Sequence, residues 1–559
     1  MAAKIPQTNK KFTDFLGAPN AEEFKFTEMS ESRILNFINN MKPKSSFGED
    51  LISNNSLKLI AVTVIQPLKH LINLSLKTGY FPEQFKIAKI VPIYKDSDIH
   101  EFSNYRPISL LNSVSRLFES IVCFQVTGFA DACDILYKHQ YGFRAKHNIN
   151  HPLLHFSENI FQALNNNKFN ILIFLDLKKA FDTVNYEILL SKLEHYGIKN
   201  TELLWFKNYL KNRQQFTHLS SISGDSNVKS SNLPCHSGIP QGSCLGPLLF
   251  LFFINDLARA TNLFTLLFAD DCTFQISGSD SLSLIKQANK ELGIAEQWFN
   301  CNKLTINAKK SKFILYKNQT SHAHVSPLYI GNSEITRVGQ TCPEKTVGFL
   351  GVLIDDQLCF SGHIEKLKSK LNSALYALST CNKVVPLKIR KSIYSSLFES
   401  HLRFGSIIYG AATQKLLDPI SVIQRKALRL VARAQYNAHT DVLFKRYNFL
   451  KFDDLVHLNQ CIFMRQYSNK QLPISFKNMF QYLPLSQQVH RDHDYNFMPK
   501  LINHRHLQFF PSVQMVRTWN CSNIFVKCEA EVFNMKETFI SQCISKQGQG
   551  NQCQTLVFI

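Results

Sequence analysis

The sequence predicts an α+β fold followed by a mainly helical region, and three observations support this prediction. Short apolar runs alternate with stretches of helical periodicity across residues 83–355. From residue 356 onward the helical period dominates and strand signals fade. The chain of 559 residues has 45% hydrophobic and 19% charged residues, a balance typical of folded globular proteins rather than disordered ones.

The periodicity of the apolar residues predicts the elements in chain order. The predicted helices cover Leu57–Leu76, Ser113–Ala130, Ile188–Tyr196, Leu248–Ala258, Leu282–Asn300 and Ile420–Gln435. The predicted strands cover Lys86–Tyr94, Ile171–Leu175, Leu263–Phe268 and Thr273–Ile276. We expect a helical segment at 1–75, an α+β part at 76–355, a basic helical part at 356–460 and an extension of unknown role at 461–559.

The charge balance indicates a polyanionic partner. Lys and Arg number 63 against 42 Asp and Glu, which gives a net charge of +21. In the predicted helix Ile420–Gln435, Arg425, Arg429 and Arg433 recur every fourth residue on one face. These arginines are candidates for binding the phosphate backbone of a nucleic acid, and a merely solvated helix face is the alternative.

Cellular context is predicted from what the sequence lacks. No uninterrupted apolar run reaches the length of a membrane span, and the first residues have no apolar core of a secretory signal. The 14 cysteines have irregular spacings typical of reduced thiols. We therefore expect an intracellular protein, in the nucleus, the cytoplasm or both, without a membrane partner.

Asp176 is the first candidate for chemistry. It directly follows the apolar run Ile171–Leu175, which is typical of a strand buried on both faces. A carboxylate at such a place needs a cation, a polar partner or water. The alternative is a structural one, in which Asp176 caps a helix that begins in the following residues.

Asp270 and Asp271 are the second candidates, because they occupy the predicted turn between two apolar, β-prone arms. Adjacent carboxylates on a hydrophobic hairpin repel each other unless a metal ion offsets their charge. Side chains alternate faces along a strand, so both can point the same way only if the turn rotates one of them. An ordinary acidic surface turn is the alternative.

Asp176, Asp270 and Asp271 together provide oxygen ligands without a matching His or Cys cluster. This donor set suits Mg²⁺, with Mn²⁺ as an alternative ion, rather than zinc. Two such ions can activate a hydroxyl and stabilise a leaving phosphate oxygen. A basic chain with these acids predicts phosphoryl transfer on a nucleic acid, either polymerisation or hydrolysis.

Several motifs, in order along the chain, resemble those of reverse transcriptases of non-LTR retrotransposons, the LINE or jockey-like type. The resemblance extends from about Lys42 to about Leu455. The motifs are YRPIS (105–109), QYGFR (140–144), FLDLKKAFDTV (174–184), GIPQGSCLGPLLF (238–250), FADD (268–271), LTINAKKSKFILY (304–316) and VGFLGVLIDD (347–356). The resemblance implies a right-hand polymerase with fingers, palm and thumb and a helical C-terminal extension.

The resemblance also implies roles for individual residues. Asp176, Asp270 and Asp271 would bind two metal ions, and Lys310 would protonate the departing pyrophosphate. The residues that would contact the dNTP are Lys95 and Arg106 at the triphosphate, Phe181 at the sugar, and Gln241 and Gly242. The hairpin that would hold the primer end contains Phe349, Leu350 and Gly351. Asp182 is expected to brace its turn rather than bind metal.

The function implied by the resemblance is RNA-directed DNA synthesis. The 3′-OH of a DNA primer would attack the α-phosphate of a dNTP on an RNA template, within a ribonucleoprotein. A degenerate or domesticated relative that binds nucleic acid without polymerising is the alternative, and a metal-dependent nuclease is a third. The family places an endonuclease domain before the polymerase, and we expect none in residues 1–75.

Overall fold

The structure is a computed structural model that describes residues 10–95, 98–220, 227–318, 326–483 and 496–522, together with positions 537, 539, 541 and 543. The first nine residues lie outside the described residues. So does most of the chain after residue 522, which belongs to the predicted extension. The described part contains both helices and sheets, which confirms the predicted mixture of α and β structure.

The strands are numbered β1 to β13 in chain order. They are β1 Ile87–Tyr94, β2 Tyr105–Leu110, β3 Phe169–Leu175, β4 Gln214–Ser220, β5 Asn227–Lys229, β6 Leu233–Pro234, β7 Phe264–Phe268, β8 Asp271–Gly278, β9 Lys312–Tyr316, β10 Leu328–Ile330, β11 Ser333–Val338, β12 Val347–Phe349 and β13 Val352–Ile354.

The helices are numbered α1 to α17 in the same way. They are α1 Glu31–Asn40, α2 Asn54–Thr78, α3 Ser113–Ala132, α4 Asn150–Asn165, α5 Tyr186–His195, α6 Asn200–Leu210, α7 Gly246–Ile254, α8 Leu257–Ala260, α9 Ser281–Cys301, α10 Ser361–Cys381, α11 Leu387–Ile393, α12 Ser400–Arg403, α13 Ser406–Tyr409, α14 Gln414–Ala432, α15 Thr440–Tyr447, α16 Phe452–Ser468 and α17 Pro511–Asn520.

A six-stranded sheet forms the centre of the fold, in the order β10-β11-β9-β3-β8-β7. Every residue of β3 is buried, because alternate side chains enter two different cores. Ile171 and Ile173 pack into the core that includes α7 and α9, whereas Leu172 and Phe174 pack into the core that includes α4 and α10. Burial on both faces explains why this strand reads as an unbroken apolar run.

A second sheet lies beside the first and consists of β2-β1-β4-β5, with β6 paired to β4. Its β2 strand contacts the loop before α7, since Ser109 N donates to Gln241 O at 2.7 Å. The hairpin of β12 and β13 forms a separate two-stranded sheet. The charges of Lys95 and Arg106 reach Asp270, so one end of the strand pair β1–β2 lies near the acidic turn.

The helices after residue 356 build the second core. Helix α10 packs against α14, and α16 packs against α17. Helix α17 returns to α4, next to the six-stranded sheet. The described part of the extension therefore packs onto the α+β part of the chain rather than standing apart from it.

Two predicted helices differ from the structure in their limits. The helix predicted at Leu248–Ala258 is divided into α7 and α8, because Asn255 and Asp256 turn inward to bind distant groups. Asn255 accepts from Tyr137 N at 2.7 Å, and Asp256 binds Lys192 and Trp298. The helix predicted at Ile420–Gln435 begins earlier, at Gln414, and ends at Ala432.

Helix α2 is the one described helix that is long and apolar enough, by length and composition, to cross a membrane. The prediction from uninterrupted runs missed it, because Lys58, Lys69 and His70 interrupt its apolar residues. A core helix passes the same test, and Leu57 and Ile72 of α2 are buried in the main core.

Candidate active site

Asp176 lies just after β3, half-buried, and the loop before β9 holds it in place. Asn307 Nδ2 donates to Asp176 Oδ2 at 2.9 Å, and Asn307 N donates to the Asp176 carbonyl at 2.7 Å. Asp176 N donates to Ser311 Oγ at 3.2 Å. The following residues form only a short 3₁₀ turn whose N-cap is Lys179, so Asp176 is not the helix cap considered as the alternative.

Asp270 and Asp271 occupy the turn between β7 and β8, where Phe268 pairs with Asp271. Ala269, which precedes them, has φ +58° in the left-handed region. A residue in this conformation turns the chain sharply, so the usual alternation of side chains along a strand is interrupted here. Such a break in the alternation is the condition, stated above, under which Asp270 and Asp271 can both face one site.

The strand register brings the two sites together. Leu175 of β3 is paired with Cys272 of β8 in an antiparallel ladder. Asp176 directly follows Leu175 and Asp271 directly precedes Cys272, so both acids lie at this end of the ladder, and the charge of Asp176 reaches Asp271. The two predicted acidic sites, nearly a hundred residues apart in the sequence, are therefore neighbours in the fold.

The pKa shifts of Asp270 and Asp271 reflect this proximity. The surrounding protein raises the pKa of Asp271 to about 6, first by desolvation and then by the charges of Asp270 and Asp176. The pKa of Asp270 is also raised, first by burial and then by Asp176, while Arg106 and Lys95 act in the opposite direction. Arg106 of β2 and Lys95, which follows β1, are thus close enough to influence Asp270.

The donor chemistry of the site fits a hard divalent cation. The acids provide only oxygen atoms, and none has a salt bridge among the described residues. Across the described residues, no group of three or more His, Cys, Asp or Glu is arranged to hold one ion. Mg²⁺ commonly binds through one or two carboxylates together with water and substrate phosphates, so a ready cage of three side chains is not required.

Phe181 and Gln241 lie in two neighbouring loops, which are joined by a hydrogen bond from Ile239 N to the Phe181 carbonyl at 2.8 Å. The Phe181 ring stacks on Phe250, with centroids 4.5 Å apart and an interplanar angle of 22°. Gln241 Nε2 donates to Asp182 Oδ1 at 2.8 Å. Asp182 therefore orients the Gln241 side chain, a contact in keeping with the bracing role expected for it.

Gly242 occupies a position that only glycine fits. Its φ is +134°, and a Cβ atom there would lie 2.4 Å from the Ser109 carbonyl oxygen. The loop of Gln241 and Gly242 therefore lies directly against β2, the strand that carries Arg106. This contact joins the predicted triphosphate residues to the predicted nucleotide-binding loop.

A buried hydrogen-bond network holds the residues that follow Gly242. Glu119 of α3 accepts from Tyr209 Oη at 2.7 Å and from Cys244 N at 2.8 Å. Tyr209 Oη is also 3.1 Å from Ser243 Oγ. The sequence analysis missed Glu119, since a single acid within an apolar helix carries no recognisable pattern.

The structure distinguishes among the lysines near Lys310. Lys312 forms a salt bridge with Glu344. Lys309 and Lys310 are exposed in the turn that follows Asn307, and the backbone of Lys310 donates to the Asn307 carbonyl. Because Asn307 binds Asp176, this turn links the predicted proton donor to the acids.

The hairpin that contains Phe349, Leu350 and Gly351 is divided between the core and the surface. Phe349 is 4% exposed, and its side chain packs on Phe156 and Phe174 rather than facing outward. Leu350 and Gly351 form the tip, with φ of +49° and +86°, as a tight two-residue turn requires. Phe349 instead anchors the hairpin in the core.

The three arginines predicted on one face of α14 have different surroundings. Arg433 follows α14 in the left-handed conformation and donates to the carbonyls of Asn382, Lys383 and Val385. Arg429 donates to the Ala438 carbonyl at 3.0 Å. Their guanidinium groups bind backbone carbonyls in neighbouring loops. Of these three arginines, Arg425 is exposed and has no such bond to a described residue.

Carboxylates at adjacent strand ends, with basic side chains near one of them, are compatible with metal-assisted phosphoryl transfer on a nucleic acid. Residues 93–354 match the family described as reverse transcriptase (RNA-dependent DNA polymerase). This part of the chain is therefore similar to reverse transcriptase domains.

Relatives point to one type of reverse transcriptase. The chain is 27% identical over 444 residues to the RNA-directed DNA polymerase from mobile element jockey of Drosophila melanogaster, covering 77% of this chain and 47% of that protein. It is 28% identical over 416 residues to the probable RNA-directed DNA polymerase from transposon X-element of the same species, covering 71% and 43%. The resemblance to jockey-like reverse transcriptases is confirmed. The chain spans about half the length of these curated relatives.

Proposed function

We propose that this chain is an RNA-directed DNA polymerase of a non-LTR retrotransposon. The observation that carries the proposal is the strand register that brings Asp176 next to the Asp270–Asp271 turn. The match to the reverse transcriptase family and the jockey-like relatives support the same reaction. The architecture would be a right hand, in which the two sheets and their helices serve as fingers and palm and α10–α16 serve as thumb.

The chain's own residues would bind and orient the substrates. Asp176, Asp270 and Asp271 would hold Mg²⁺ or Mn²⁺, which when bound supplies positive charge at the reacting phosphate. Lys95 and Arg106 would bind the triphosphate of a dNTP, and Lys310 would donate a proton to the leaving pyrophosphate.

The remaining contacts would select and hold the polymer. Phe181 would lie against the sugar of the dNTP, while Gln241 and Gly242 would contact the base pair being formed. Leu350 and Gly351 would meet the primer end. An RNA template and a DNA primer would be bound through their backbones, in a ribonucleoprotein of the nucleus or cytoplasm.

Primer extension on poly(rA)–oligo(dT) with Mg²⁺ and dTTP tests the proposal. We expect extension by the parent chain and its loss in Asp270→Ala. Binding of the template–primer without extension would favour a non-polymerising relative, and cleavage of either strand would favour a nuclease. Either result would contradict the proposed polymerase.

A further inference from the structure

The QYGFR motif extends the edge of the central sheet. Leu267 of β7 donates its N–H to the His139 carbonyl at 3.0 Å, and Tyr141 N donates to the Leu267 carbonyl at 2.8 Å. Gln140 and Leu267 thereby form a parallel bridge. Residues 139–141 thus pair with the strand that leads directly into the Ala269–Asp271 turn.

The Gln140 side chain reaches the turn itself. Its Oε1 accepts from Ala269 N at 3.1 Å and from Gly142 N at 2.9 Å, and the residue is 2% exposed. Both N–H groups are buried, so without this oxygen each would remain unsatisfied at a cost in free energy. One amide oxygen therefore serves two backbone donors on either side of the acidic turn.

Ala269 is the strained point of this turn. Its φ of +58° is costly for a residue with a Cβ atom. The motif's backbone also touches it, since a Cβ atom on Gly142 would lie 2.4 Å from Ala269 N. The motif therefore contacts the turn through the Gln140 side chain and through the Gly142 backbone.

We propose that Gln140 is a positioning residue that holds Ala269 in the left-handed conformation, so that Asp270 and Asp271 face Asp176 and bind divalent ions. The inference rests on the proposed function, because the ions matter only if these acids bind them. The Gln140 side chain contacts the backbone on either side of the turn, and it acts on the acids through that backbone. Without its oxygen, Ala269 relaxes and the two carboxylates separate from Asp176.

The test compares Gln140→Met with Gln424→Met as a matched control. Gln424 is also a buried glutamine, 1% exposed, whose Oε1 accepts from Phe452 N at 2.8 Å in the helical region. Both variants lose a buried amide oxygen that binds backbone, but only Gln140 adjoins the acids. Thermal unfolding of both variants measures the loss of stability that they share.

The first readout is Mn²⁺ affinity, measured by electron paramagnetic resonance on the full chain. The probe complex contains poly(rA), oligo(dT) ended in a dideoxynucleotide, and dTTP. We expect Gln140→Met to weaken Mn²⁺ binding by about 10- to 100-fold, as is typical when a residue that orients metal ligands is lost. Gln424→Met keeps the parent affinity.

The second readout is steady-state primer extension. In Gln140→Met, kcat falls by a similar factor while the KM for dTTP stays at the parent value, since the dNTP contacts are untouched. Equal Mn²⁺ affinity in Gln140→Met and Gln424→Met would overturn the inference, as would a parent that binds no Mn²⁺. A parent that binds Mn²⁺ in a Gln140-dependent way but extends no primer would support the inference and refute the polymerase.

Discussion

At the scale of single residues, the acids and their immediate partners differ in how far the sequence predicts them. Asp176, Asp270 and Asp271 end or join apolar runs, so their positions at strand ends could be predicted from periodicity alone. The electrostatic interaction among them could not be predicted from the sequence, because it depends on the register of β3 and β8. Glu119 and Gln140 have no signal of their own, since each acts through a contact made only in the folded chain.

Phe181 provides a residue-scale prediction about sugar selection. Its ring is fixed by stacking on Phe250, so it forms a rigid wall beside the proposed nucleotide site. We expect Phe181→Val to increase the ratio of rUTP to dUTP incorporation by about tenfold or more, because a smaller side chain leaves room for a 2′-OH. Incorporation of each nucleotide on poly(rA)–oligo(dT) measures this ratio.

Phe124→Val is the matched control, because Phe124 is 62% exposed on α3 and contacts Phe37 rather than the nucleotide-binding loop. It should leave the ratio at the parent value. An unchanged ratio in Phe181→Val would mean that the ring does not reach the sugar.

At the scale of elements, periodicity predicts most helices and strands of the α+β part but not where side chains turn inward. Helix α7 ends where Asn255 and Asp256 bind groups from other elements, and apolar periodicity carries no information about such partners. The same limit explains α14, whose spacing of arginines is regular although two of them bind nearby carbonyls. A regular charge pattern therefore predicts a polar face without indicating what the face contacts.

Arg425 and Arg433 provide a prediction that separates nucleic-acid binding from capping. We expect Arg425→Ala to weaken template–primer binding and to reduce the slope of log affinity against log salt by about 1, as one phosphate contact requires. Arg433→Ala should leave that slope unchanged and lower the free energy of unfolding by about 1 kcal/mol, because its carbonyl partners lose their donor. Fluorescence anisotropy across a salt series and urea unfolding measure the two effects.

The reverse pattern, with Arg433→Ala changing the salt slope and Arg425→Ala leaving it unchanged, would show that the carbonyl contacts of Arg433 open when nucleic acid binds. Lys426, exposed beside Arg425 on the same helix, provides an internal comparison for the size of a single-charge effect.

At the scale of the whole molecule, the C-terminal part packs against α4 of the α+β part through buried contacts. Lys500 forms a salt bridge with Glu158 of α4, and Phe510 packs on Phe161. The partners of the salt bridge are 342 residues apart in the sequence. No local pattern could predict such a contact, so no role for the extension could be predicted from its sequence.

Three buried histidines, two on α4 and His139 packed beside one of them, predict an acid-sensitive fold. Burial lowers the pKa of His139 to about 4 and that of His151 to about 3, and it lowers the pKa of His155 well below its ordinary value. Lys138 and His147 act in the same direction. His151 and His155 pack on Phe476, in the segment after α16.

The direction of this pH dependence follows from the number of protons that the folded and unfolded states bind. As the pH falls below about 6.5, the unfolded chain protonates these histidines but the folded chain does not. Folding stability is therefore full above that pH and declines below it, by about 1.4 kcal/mol per pH unit for each histidine. Thermal unfolding between pH 7 and pH 5 measures the decline.

His151→Leu should make the unfolding temperature less dependent on pH, since one proton fewer is taken up on unfolding. Exposed His100→Leu is the control and should leave the pH dependence as in the parent. Identical pH dependence in the parent and in His151→Leu would mean that His151 is protonated in the folded chain.

The most direct test of the account is the single-turnover rate of dTTP incorporation on poly(rA)–oligo(dT) for Asp176→Asn, compared with Asp182→Asn. Both acids belong to the same motif, but Asp176 adjoins the Asp270–Asp271 turn and Asp182 binds Gln241. We predict that Asp176→Asn reduces the rate by about a hundredfold or more, and that Asp182→Asn has a much smaller effect. A rate for Asp176→Asn equal to that of the parent, or to that of Asp182→Asn, would contradict the claim that these three acids form the catalytic centre.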